Sequence, residues 1–157
     1  MPKITPFLWF ESQAEEAANF YVSIFPNSKI KSVNRYGDAG PGPKGSVMTV
    51  DFELDGREFT ALNGGPVFRL NESISFVIHC SSQAEVDHYW EKLTSGGKEI
   101  QCAWLTDRFG VTWQVVPVQL IRAITDPDPT RAKRATQAMF GMKKIDIARI
   151  EAAARGE

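Results

Sequence analysis

Ile4-Thr5-Pro6-Phe7-Leu8-Trp9-Phe10 is a short apolar run rich in aromatic residues, as expected of a buried strand. Directly after it the apolar period lengthens. Ala14, Ala17, Tyr21 and Ile24 recur on one helical face, and Pro26 stops that helix. Strand-like stretches follow at Lys29 to Tyr36, Ser46 to Leu54 and Arg57 to Asn63, with Pro41-Gly42-Pro43 as a loop and Asp55-Gly56 as a tight hairpin turn. The same succession then returns. Ile74 to Cys80 reads as a strand, Val86, Trp90 and Leu93 mark a helix stopped by Gly96-Gly97, and Lys98 to Gln101, Ala103 to Thr106 and Val111 to Val116 read as strands, the last two joined by a turn at Asp107 to Gly110.

A local sequence repeat supports this duplication. Ser12-Gln13-Ala14-Glu15 recurs 70 positions later as Ser82-Gln83-Ala84-Glu85, and in both places a Ser-x-x-Glu box opens the helix, so Ser12 and Ser82 are the expected caps. The chain is therefore expected to be α+β, with tandem βαβββ modules at about 1–65 and 73–117 forming one domain, a curved antiparallel sheet around a cleft. Helices cover one face, and the other is left to enclose a ligand. The remainder, 118–157, reads as helices packed on the domain or on a dimer partner: Val118 to Ile124, a second capped by Thr130 and running to about Met142, and a third from Asp146 to near Gly156. Ala135, Ala138, Met139 and Met142 give that tail an apolar stripe suited to packing.

Composition narrows the function classes. The 157 residues carry 18 Lys and Arg against 19 Asp and Glu, which removes any general drive toward nucleic acid or anionic membrane. Eight basic and five acidic residues lie from Val118 onward, a mildly basic helical surface. No apolar run approaches the roughly 18 residues of a membrane span, and the N-terminal stretch lacks the apolar core of a signal peptide. Cys80 and Cys102 form no CxxC pair and are too few for a disulfide scaffold, so a cytoplasmic protein with reduced thiols is expected.

Several segments carry a family resemblance: Thr5-Pro6-Phe7-Leu8-Trp9-Phe10, Ala14-Glu15-Glu16-Ala17, Asn19-Phe20-Tyr21, Ala61-Leu62-Asn63-Gly64-Gly65, the run from Asp107 to Pro117, and Met142-Lys143-Lys144-Ile145-Asp146-Ile147. With the tandem modules, they make the chain resemble the vicinal oxygen chelate superfamily of glyoxalase I, bleomycin-resistance proteins and extradiol dioxygenases. More closely, it resembles the PhnB-like branch that carries the label 3-demethylubiquinone-9 3-methyltransferase. The resemblance implies a homodimer with a small-molecule cleft, and in metal-dependent relatives a divalent ion held by His and Glu on inward strand faces. This chain departs from that ligand pattern. The first strand offers Thr5, Phe7 and Trp9, its counterpart Ser73, Ser75, Val77 and His79, the fourth strand Ala61 and Asn63, and the last strand Gln114 where relatives carry Glu. No metal and no other cofactor is therefore expected. Methyl transfer remains an alternative, although Gly64-Gly65-Pro66 and Gly96-Gly97 open no helix after a buried strand, and the prolines between Gly40, Gly42 and Gly45 remove donors an anion would need.

The expected ligand-binding residues are Phe7, Trp9, Asn63, Ser75, Trp104 and Gln114, a set of aromatics with a few polar groups. His79 is the weak catalytic candidate, since imidazole titrates near neutral pH. His88 falls on the polar side of its helix. Cys102 has no His near it in sequence to activate it, and Glu11 and Glu58 are possible carboxylate bases. Two functional classes stand side by side: an enzyme using His79 or a carboxylate for proton transfer, and a bleomycin-resistance-like protein that sequesters its ligand without turnover. A third reading uses the C-terminal helices to dock a partner.

Overall fold

The structure is a computed structural model that describes residues 2–157. It divides into two compact units, Met1–Leu70 and Asn71–Glu157. In the first unit, β1 (Phe7–Phe10) leads into α1 (Ala14–Ile24), followed by β2 (Lys29–Arg35), β3 (Val47–Leu54) and β4 (Arg57–Asn63). The four strands lie in the order β1-β4-β3-β2. The meander β2-β3-β4 is antiparallel, as short connections require, but β1 lies parallel to β4, with Phe7 beside Thr60 and Phe10 beside Asn63. The expected all-antiparallel sheet is thus corrected to a mixed one. A crossover through α1, β2 and β3 brings the last strand back beside the first.

Alternation along the strands decides what each face does. Leu8, Phe10, Val50, Phe52, Phe59 and Ala61 are buried on the face that α1 covers with Ala14, Ala17, Ala18, Tyr21 and Ile24. Tyr21 stacks on Phe52 and Phe52 on Phe59, with ring centroids 6.3 and 5.5 Å apart. The opposite face carries Phe7 and Trp9 of β1, with Thr60 and Leu62 beside them on β4. Asp51 on β3 accepts hydrogen bonds there from Ser32 and Thr60.

The second unit repeats the plan with β5 (Phe76–Cys80), α2 (Gln83–Thr94), β6 (Lys98–Glu99), β7 (Trp104–Thr106) and β8 (Thr112–Pro117), in the order β5-β8-β7-β6. Again the outer pair, β5 and β8, is parallel. Both first strands are shorter than expected: residues 4–6 and 74–75 lie outside them. Asp107, 3% exposed, holds the β7–β8 turn. Its carboxylate accepts from the backbone N–H groups of Phe109 and Val111 and from the Trp113 indole.

Three further helices, α3 (Val118–Ile124), α4 (Pro129–Phe140) and α5 (Ile147–Arg155), belong to this unit. Leu120, Ala123, Ala135, Met142, Ile145, Ile150 and Ala154 form an apolar cluster with Ala103 and Val116. The cap of α4 is Asp128, not Thr130: the Asp128 side chain accepts from the Thr130 N–H, and Pro129 occupies the first helical position, where its missing donor costs nothing. The segment between α4 and α5 is fastened from two sides. Cys102 and Ala103 donate backbone N–H groups to the carbonyls of Met142 and Lys143, while the Gln83 amide donates to Ile145 O and accepts from Ile147 N.

Candidate functional site

In the first unit, the parallel neighbours β1 and β4 end side by side, and their exits are joined. Gly64 N donates to Phe10 O at 2.9 Å, Gly65 N donates to Glu11 O at 3.2 Å, and the Trp9 indole donates to Gly65 O at 2.9 Å. The Trp9 ring lies so close to Gly64 that a Cβ there would fall 2.4 Å from a ring carbon, so only glycine fits. Trp9 also meets Phe68 edge to face, with centroids 4.9 Å apart.

Asn63, the last residue of β4, organises the same corner. Its side-chain oxygen accepts from Ala14 N at 2.8 Å, its amide donates to Val47 O at 3.1 Å, and its carbonyl accepts from the Tyr36 hydroxyl at 2.6 Å. The expected first cap is corrected here: Ser12 makes no capping bond, Gln13 stands at the cap position, and Asn63, 49 residues away from Ala14, satisfies a helix-start donor. In the second unit Ser82 does cap α2, accepting from Glu85 N, but Glu85 reaches back to Ser81 instead of Ser82. The fourth-strand pair Ala61 and Asn63 is corrected too. Ala61 is buried toward α1 and Asn63 turns to its N-terminus, so the β4 residues sharing a face with Phe7 and Trp9 are Thr60 and Leu62.

Beyond Asn63 opens a cleft of about 740 Å³. This lies within the range of roughly 300–1,000 Å³ usual for small-molecule sites. One wall is Tyr36 with the loop Pro41-Gly42-Pro43, the floor is Asn63-Gly64-Gly65, the lip is Pro66-Val67, and the far wall is Glu11, Ser12, Glu15 and Glu16. Gly42 lies flat against the Tyr36 ring, since a Cβ there would sit 2.2 Å from it. Of the residues expected to bind a ligand, Asn63 lines this cleft and Trp9 braces its floor; Phe7, 60% exposed, lies on the helix-free sheet face instead.

The remaining candidates gather in the second unit. Gln114 and Trp104 are cross-strand partners and Val77 is the other neighbour of Gln114, so the three share a face, where Gln114 donates to the Ser75 hydroxyl at 2.8 Å. His79 is exposed on β5, and no hydrogen bond among the described residues orients its ring. His88 is exposed beside Tyr89. Cys80 is 1% exposed, and burial, with the Glu85 charge second, pushes its thiol up to about 12. Glu58 is held by Lys31 at 2.6 Å.

The donor set does not fit a tightly held metal. Taken unit by unit, the positions along the parallel pair that face away from the buried side, Phe7, Trp9, Thr60 and Leu62 in the first and Val77, His79 and Gln114 in the second, offer at most one imidazole and no carboxylate. Among the described residues no group of three His, Cys, Asp or Glu side chains is placed to hold an ion. Sequence reasoning missed Tyr36, Glu15, Glu16 and the 41–43 loop as site components. The available signal was Tyr36 followed by Gly40 and Gly42, two side-chain-free positions that let a loop lie on the ring.

Comparison with known proteins places this geometry. None of the curated proteins matches the chain. A PhnB protein from Bacillus cereus is 36% identical, with 74% of this chain and 99% of that one covered and a TM-score of 0.68. A protein from Pseudomonas aeruginosa is 22% identical over 74% and 98%, with a TM-score of 0.62. A fosfomycin resistance protein from Listeria monocytogenes, 14% identical over 74% and 93% with a TM-score of 0.50, shares the fold. Residues 2–116 match the family described as 3-demethylubiquinone-9 3-methyltransferase, which leaves Met142 to Ile147 outside the matched stretch. The chain therefore belongs to that PhnB-like family, within the vicinal oxygen chelate fold.

Proposed function

We propose that the protein binds a small organic molecule in the first-unit cleft, without a tightly held metal and without turnover. The observation that carries this reading is the cleft of about 740 Å³, walled by Tyr36 and the proline loop and floored by Asn63-Gly64-Gly65. The methyl transfer in the family's name finds no support in the connections. The turns from the parallel strands into helices, Glu11 to Gln13 and Ser81-Ser82, contain no glycine, unlike the nucleotide-type turns most methyltransferases use for their cofactor. His79 lies in the other unit, and among the described residues no hydrogen bond orients or activates it. Turnover by a carboxylate base is the second reading, favoured by Glu11 in the cleft wall.

The homodimer and the cytoplasmic setting belong to the same proposal. A second copy would cover Phe7 and Val77, 60% and 44% exposed, and free Cys80 and Cys102 suit a reducing compartment. The deciding experiment is native mass spectrometry of protein purified without chelator or added metal. A retained organic molecule on metal-free protein supports the reading, and near-stoichiometric divalent metal overturns it. Product formation abolished by Glu11→Gln would select the second reading.

A further inference from the structure

We infer that the first-unit cleft selects an organic cation, an amine carried on an apolar or aromatic body; this rests on the cleft being the binding site. The cavity supplies the volume, and its lining supplies the sign. Glu11, Glu15 and Glu16 form one wall, while among the described residues no Lys, Arg or His lines it. Among the described residues these three carboxylates take part in no salt bridge. A concave surface lined by one sign of charge concentrates the opposite sign.

The simpler explanation covers part of this. Glu15 and Glu16 stand in the first turn of α1, where carboxylates complement the helix dipole. It does not account for Glu11, which precedes the helix, nor for a lining free of cations. The bare N-terminus of α1 would by itself attract an anion. Here Asn63 already satisfies Ala14 N, and three negative charges outweigh the dipole's half charge. A metal ion is the wrong cation, because the carboxylates are not gathered as a ligand set. Tyr36 and Pro41 to Pro43 offer the apolar wall against which the body of an amine would lie.

Three probes of similar shape separate charge from shape: phenethylamine, phenethyl alcohol and phenylacetate, titrated by NMR and calorimetry at low salt. The expected result is shifts at Tyr36, Asn63 and Gly64, with the amine about tenfold tighter than the alcohol and phenylacetate weakest. In the triple variant Glu11→Gln, Glu15→Gln, Glu16→Gln, whose side chains are exposed, the amine should lose its advantage over the alcohol. Equal affinities, or a preference for phenylacetate, would overturn the charge selectivity and leave the cleft reading standing. If no probe perturbs those residues, both fall.

Discussion

Asn63 is a strand residue that completes a helix. Its Oδ1 is the partner of Ala14 N, a donor in a fully buried residue, so Asn63→Ala removes a cap and leaves that group unsatisfied. Such a loss costs about 1–3 kcal/mol. Urea unfolding should show it as a lower midpoint at unchanged slope. Cys80 gives a second test at this scale. Its thiol is pushed up to about 12 in the folded protein by burial, with Glu85 adding to the effect, against about 8.5–9 for an open thiol. Above pH 9 the unfolded chain therefore loses a proton that the folded chain keeps, and stability falls as pH rises toward 12, by up to about 1.4 kcal/mol per pH unit. Comparing Cys80→Ala with the parent across pH 9–11 isolates the term; parallel curves would refute it.

At the scale of elements, Gln83 is the counterpart of Asn63. It stands at the start of α2, yet its amide holds both Ile145 O and Ile147 N, while Lys144 reaches Asp87 at 2.9 Å. Gln83→Ala should destabilise the second unit by about 1–3 kcal/mol, two side-chain bonds to backbone being lost, and accelerate exchange of the Ile147 amide before that of the β8 amides. Local signals made most elements readable: the apolar periods of α1 and α2, the Asp55-Gly56 hairpin, and the bounds of β4. The long-range relations were not readable. The parallel pairing of β1 with β4 leaves no mark in either strand, and the cap of α1 comes from Asn63 because the sheet brings it there. For the same reason Phe7, Trp9, Ser75, Trp104 and Gln114 were recognisable as a chemical type and assignable to their modules, while their place outside the lining of the first-unit cleft was not. Asn63 entered the reading with the wrong facing, since one strand position decides which side a residue serves.

At the scale of the whole molecule, the two units meet in sequence at an exposed connection. Residues 66–69 and 71–74 are exposed and lie outside helix and strand. An arginine-specific protease should therefore cut first after Arg69, because Arg35 and Arg57 lie in strands and Arg108 is held by Ser95. First cleavage elsewhere would show that this connection is protected in solution. Among the described residues no helix is long and apolar enough to cross a membrane.

The closure of each sheet by its outermost strands also bears on the order of assembly. Phe7 has no ladder partner until Thr60 has been made, and Phe76 none until Trp113. Loop closure over such distances is the slow part of forming a sheet. On the ribosome, β1 must wait, unpaired, while the whole meander is synthesised, and the Asn63 that finishes the ladder arrives at the same moment as the partner of Ala14. The first unit then completes its sheet and secures its helix in one step, before the second sheet has the Trp113 it needs to close.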